Sequence, residues 1–131
     1  MDPDALYTKT WLGSGQILTY IFQDGSRETA DIWFQDVKSE IASWNADRRW
    51  LMLIDIRMGG RIISSAAFMR GRQLSHLRPE LPGKTAIVVA SSVAAHLTNG
   101  ILRSLSTETR RQRRVFDNQE RAVEWLLDTK H

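Results

Sequence analysis

The amino-acid sequence predicts an α/β fold built on a mixed sheet, an N-terminal β-hairpin followed by alternating helix and strand units in the order ββαβαβαβα. Three observations point there. Two extended runs rich in Ile, Thr, Tyr, Phe and Trp open the chain around a short glycine-serine turn. Two later apolar runs have the length and β-branched content of buried strands, and the segments between them carry apolar residues at helical spacing. Such alternation implies parallel strands joined by right-handed helical crossovers, with the hairpin adding an antiparallel edge.

The hairpin pairs Leu6 to Leu12 with Gln16 to Gln23 across Gly13-Ser14-Gly15. Asp24-Gly25 ends the second strand, and Ser26 is placed to cap a helix by accepting from backbone N–H groups of its first turn. Ala30, Trp33, Phe34, Val37, Ile41 and Trp44 then recur at intervals of three and four, with Asp31, Asp36, Lys38 and Glu40 on the opposite face. The tryptophans therefore belong to the core. Trp50 to Ile56 is nearly all apolar, as expected of a strand covered on both faces and central to the sheet.

Gly59-Gly60 marks a turn, and a second helix is expected from Ser64-Ser65 through Ala67, Phe68, Gly71, Leu74 and Leu77, closed by Pro79 and Pro82. Thr85 to Ala90 reads as the next strand, with Ser91-Ser92 as caps for a third helix bearing Ala94, Leu97, Ile101 and Leu105. Asn99-Gly100 is a weak point inside that helix. Arg113 to Phe116 is the last strand. Asp117-Asn118-Gln119-Glu120 resembles a capping box, with Asp117 as the acceptor, ahead of a final amphipathic helix carrying Ala122, Val123, Trp125 and Leu126.

With 131 residues, the expectation is one domain spanning 1–131 around one core. The absence of cysteine excludes disulfides, thiolate metal sites and cysteine nucleophiles. The acidic start, Met1-Asp2-Pro3-Asp4, is unlike a secretory signal, and no apolar run approaches the roughly 18 residues of a membrane span, so a cytoplasmic location is expected. The net charge of +3 rests on arginines, densest at Arg110, Arg111, Arg113 and Arg114. Placed at the end of the third helix, that cluster opposes a helix dipole, and nucleic acid is not expected as a partner.

The chain resembles the STAS domain family, named for sulphate transporters and anti-sigma-factor antagonists, and is most similar to its stand-alone SpoIIAA-like members. The likeness covers most of the chain. It rests on the element order, on the strand Leu51-Met52-Leu53-Ile54-Asp55-Ile56, on Ser64-Ser65 at the start of the following helix, and on the ending from Arg114-Val115-Phe116-Asp117 to Trp125-Leu126. The resemblance implies a regulatory or scaffolding module that binds a protein partner. In the anti-sigma-factor antagonists an Asp-Ser-Ser-Gly motif at this junction holds a phosphorylated serine, which makes Ser65 and Ser64 the candidate phosphorylation sites. Ile63 and Ala66 stand where that motif has Asp and Gly, so the switch is not preserved in recognisable form.

Open α/β sheets bind ligands outside the carboxyl ends of their parallel strands. That rule collects Arg57, Gly59, Gly60, Arg61, Ser64, Ser65, Ser91, Ser92 and Asn118 as candidate binding residues, with helix N-termini and two arginines that suit an anion. The alternative function is accordingly a sensor of a small anion, nucleotide or lipid at this edge. No catalytic residues, cofactor or metal are assigned. His76, His96 and His131 stand apart from one another, and Asp55 reads as hydrogen-bonded structure rather than as a base. Self-association as a homodimer through the exposed hairpin edge is a further expectation.

Overall fold

The computed structural model describes residues 6–23, 26–57, 65–91, 96, 99 and 111–129. The chain first folds back at Gly13, Ser14 and Gly15, whose φ angles of 58°, 57° and 83° are all positive. Glycine adopts this region without steric cost, and here it brackets the one residue that carries a side chain. The Gln16 amide donates to the Gly13 carbonyl at 3.2 Å, closing the turn between strands β1 (Tyr7–Leu12) and β2 (Ile17–Phe22).

Helix α1 (Arg27–Ser43) starts where expected, with the Ser26 hydroxyl accepting from the Thr29 amide. Its apolar stripe buries Ala30, Trp33, Phe34, Val37 and Ile41. Strand β3 (Trp50–Asp55) is buried at every position, as its continuous apolar sequence requires. Helix α2 (Ser65–Ser75), strands β4 (Gly83–Val88) and β5 (Arg111–Phe116) and helix α3 (Gln119–Leu127) follow. His96 and Asn99 are helical, in the stretch expected to form a helix between β4 and β5. Ala94, Leu97, Ile101 and Leu105 lie outside the described residues.

The five strands are ordered β1-β2-β3-β4-β5, so β3 is central. Only β1–β2 is antiparallel; β2–β3, β3–β4 and β4–β5 are parallel. One face of the sheet packs Leu18, Tyr20, Phe22, Trp50, Met52 and Ile54 against Trp33, Phe34, Val37 and Ile41 of α1 and Leu74 of α2. The other sets Ile17, Leu51, Leu53, Ala86 and Val88 against Ala122 and Leu126 of α3. Alternate residues of one strand thus feed two apolar clusters, one on each face of the sheet, where the sequence reading expected one core. Gly83 permits the close approach of β4 to β3, because a Cβ there would overlap the Trp50 carbonyl.

Two strands differ from the sequence reading, for related reasons. Strand β4 runs from Gly83 to Val88, two residues earlier than expected at both ends, and β5 begins two residues earlier, at Arg111, because Lys84 and Arg111, polar in sequence, are buried. Arg111, Arg113 and Arg114 of the arginine cluster therefore lie in an edge strand, not at a helix end, and Arg110 lies outside the described residues. Arg111, only 8% exposed, sends its guanidinium to the carbonyls of Leu74, Leu77, Arg78 and Leu81 at 2.7–3.3 Å. It does close a helix C-terminus, but that of α2.

Two further cations do the same for the other helices. Arg78 reaches the Ile41 and Trp44 carbonyls at the end of α1, at 2.9 and 2.7 Å. Lys84, 2% exposed, donates to the Trp125 and Asp128 carbonyls at the end of α3, at 2.7 and 2.8 Å. Neither α1 nor α3 has a basic residue in its own last turn, so the charge that each dipole favours arrives from a distant segment.

Edge strand β5 has its outer side occupied. The Val89 amide donates to the Phe116 carbonyl, which places the backbone groups of Phe116 toward β4 and those of Val115 away from it. The Asn99 carboxamide meets those outward groups: its Nδ2 donates to the Val115 carbonyl at 2.9 Å and its Oδ1 accepts from the Val115 amide at 2.8 Å. One side chain stands in for the missing sixth strand.

Candidate functional site

The carboxyl ends of the parallel strands meet at Phe22, Asp55, Val88 and Phe116. The ladder runs slightly past them, with the Ile56 amide on the Val88 carbonyl at 3.0 Å and the Val89 amide on the Phe116 carbonyl at 2.8 Å. Strand ends are therefore held level at this edge, and the connections leave it from fixed points.

Asp55 ends β3 with its carboxylate buried. Arg57 supplies the compensating charge from two residues on. Its backbone amide reaches Asp55 Oδ1 at 3.0 Å, its Nε lies 3.1 and 3.2 Å from the two carboxylate oxygens, and one terminal nitrogen lies 2.7 Å from Oδ2. This is a forked, charge-assisted pair, the strongest kind of side-chain contact available to a carboxylate. The hydrogen bond to Asp55 outweighs burial and raises the guanidinium above its ordinary pKa.

The same terminal nitrogen of Arg57 also donates to Gln119 Oε1 at 3.4 Å, linking the end of β3 to the first turn of α3. That helix is capped by Asn118, in extended conformation, whose Oδ1 accepts from the Arg121 amide at 3.1 Å. The sequence had suggested Asp117 as the acceptor. Asn118 takes the role because it immediately precedes the helix, and Asp117 is left exposed beside it. The Arg57 side chain remains 43% exposed, so its outer surface and the α3 N-terminus face the same side.

Arg57, Ser91 and Asn118 are thus brought to one edge, as expected. Ser65 opens α2. Gly59, Gly60, Arg61, Ser64 and Ser92 lie outside the described residues. Sequence reasoning missed Gln119 and the Asp55–Arg57 pair. Spacing did hold a signal for the pair, because residues i and i+2 of an extended segment point to the same face.

The electrostatics of the edge follow from that pair. Asp55 neutralises Arg57, and the exposed Asp117 and Glu120 balance the exposed Arg114 and Arg121 nearby in sequence, so the described residues carry no excess of positive charge here. The edge offers hydrogen-bond donors of fixed direction rather than a cationic pocket. Among the described residues no group of three or more His, Asp or Glu side chains is placed to hold a metal ion, and no helix is long and apolar enough to cross a membrane.

No family model matches the sequence, and no curated protein matches it. A solved structure does. The crystal structure, at 2.25 Å resolution, of an uncharacterised protein from the DUF3478 family with a SpoIIAA-like fold, from Shewanella loihica PV-4, aligns with a TM-score of 0.63. The alignment covers 92% of this chain and 91% of that one at 15% sequence identity. The fold is SpoIIAA-like, as the element order and the β3 and β5–α3 segments had implied.

Proposed function

We propose that this SpoIIAA-like chain is a non-catalytic, cytoplasmic regulatory or scaffolding module that binds a protein partner at the carboxyl edge of its sheet. The observation that carries the reading is the engagement of Arg57 by Asp55. A small anion is held most tightly where a cation is uncompensated, and here the Arg57 guanidinium is already matched by a buried carboxylate. A protein surface instead needs a stable, directional set of polar groups around partly exposed side chains. Arg57, Gln119 and the capped N-terminus of α3 supply that set, locked to one another. A role in signalling accords with the SpoIIAA-like fold.

The test is capture of the partner from the native host with the wild-type chain and with Asp117→Arg, a surface change expected to alter stability by no more than about 0.5 kcal/mol. Asp117→Arg should weaken the captured complex at least about tenfold, the equivalent of roughly 1.4 kcal/mol. Capture that is indifferent to Asp117→Arg would place the partner elsewhere on the chain. Amide NMR shifts at Arg57, Val89 and Gln119 on adding inorganic phosphate or a nucleotide, with none on adding the captured protein, would favour the anion, nucleotide or lipid sensor instead.

A further inference from the structure

The two outer strands of the sheet are treated differently. The free side of β5 is occupied at Val115 by Asn99. On β1 the hairpin ladder is phased by the Gln23 amide on the Leu6 carbonyl at 2.9 Å, so Leu6, Thr8, Thr10 and Leu12 direct their backbone groups toward β2. Lys9 and Trp11 direct theirs outward, and no hydrogen bond to those groups exists among the described residues. Lysine on an edge strand ordinarily discourages pairing. Here the Lys9 ammonium is turned onto α1, 3.0 Å from both Asp36 and Glu40, and does not guard the edge. Beside it Trp11 is 42% exposed, although its ring stacks on Trp44 at 6.0 Å.

We infer that the β1 edge pairs with β1 of a second copy of this chain, antiparallel about a two-fold axis at Thr10. The phase of outward groups allows this register, because Lys9 then faces Trp11 of the second copy as a hydrogen-bonded pair and Thr10 faces its own counterpart as a non-hydrogen-bonded pair. Chemistry selects it over the neighbouring register centred on Lys9, which sets two lysine side chains opposite each other. Centred on Thr10, the aliphatic stem of each Lys9, whose ammonium stays on Asp36 and Glu40, packs against an exposed indole, and Thr10 meets Thr10, a favourable cross-strand pair. The result is one continuous sheet through two molecules. It stands independently of whatever binds at the carboxyl edge.

The chain contains no cysteine, which makes the pairing directly testable. In a non-hydrogen-bonded antiparallel pair the Cα atoms lie about 4.5 Å apart, within disulfide range. Thr10→Cys should therefore cross-link two full-length chains under mild oxidation. Thr8→Cys should not, because its two copies are offset by four residues, roughly 13 Å along the strands. The expected result is a wild-type mass near twice 15.0 kDa by light scattering, disulfide dimer forming at least about tenfold faster for Thr10→Cys than for Thr8→Cys, and a monomer of unchanged circular dichroism for Trp11→Lys. A monomeric wild type at high concentration, or equal cross-linking of the two cysteine variants, overturns the inference. Thr10→Cys keeps the test decisive even if Trp11→Lys fails to fold.

Discussion

The two ends of the parallel strands do opposite things with charge. At the amino-terminal end, Arg78, Lys84 and Arg111 each run from one segment to the last carbonyls of a helix belonging to another. Lys84 and Arg111 are buried, and both direct their donors at backbone carbonyls. Those carbonyls carry the partial negative charge of helix termini. At the carboxyl end Arg57 is half-exposed and paired with a true carboxylate, and the helix terminus beside it is capped by the short side chain of Asn118. One edge is a set of long cross-links that fix helices to the sheet. The other is a set of local contacts that leaves polar groups at the surface. Stability rests on the first edge, and the recognition proposed above belongs to the second.

The largest test of that division is Arg111→Met, which keeps much of the side-chain volume and removes every donor. Four carbonyls lose a buried partner, and the expected loss is about 3–4 kcal/mol of unfolding free energy in urea. Partner capture should be unaffected wherever the variant is folded. A loss under 1 kcal/mol, on the order of an ordinary surface change, would remove the amino-terminal edge from the stabilising framework.

Lys84→Met should cost less, about 2 kcal/mol at neutral pH, since two carbonyls rather than four are orphaned. It also has a pH signature. Burial, and then the charge of Arg49, lowers the Lys84 pKa below its ordinary 10.5 in the folded chain. In the window between the lowered value and 10.5 the unfolded chain binds more protons than the folded one, so this residue makes stability rise with pH through that window. Denaturation series at neutral and alkaline pH should show the gap between wild type and Lys84→Met widening as pH increases. A gap that narrows contradicts the burial of a charged amine at this position.

Asn118→Ala is the smallest perturbation and belongs to the other edge. Losing an exposed N-cap should cost about 1 kcal/mol and fray the first turn of α3. Amide hydrogen exchange should therefore speed up at Gln119 to Arg121 while β3 and β4 stay protected. Exchange accelerated across the whole sheet would mean that the carboxyl edge carries global stability after all.

Local and periodic signals made most of the fold legible. Ser26, the three-and-four spacing from Ala30 to Ile41, and the unbroken apolar run of β3 each speak through residues close in sequence, and each element lies where its pattern placed it. Asp55 read correctly as hydrogen-bonded structure. The long cross-links were not legible, because a buried Lys84 or Arg111 is polar in sequence and its partners lie 30 to 44 positions away. For the same reason β4 was read two residues too late and β5 two residues short. Asn99 looked like a flaw in a helix, yet its carboxamide satisfies a strand. Burial and partnership at a distance carry no periodicity, and that is the information pattern reading lacks.

Asn99 has a consequence for stoichiometry. A sheet with two open edges is a bifunctional monomer and can add copies without limit, whereas a sheet stoppered on one side is monofunctional. By occupying Val115, Asn99 blocks the ladder at that position of β5, so under the β1 pairing inferred above addition at β1 is a terminating event and assembly ends at two molecules rather than growing into a filament.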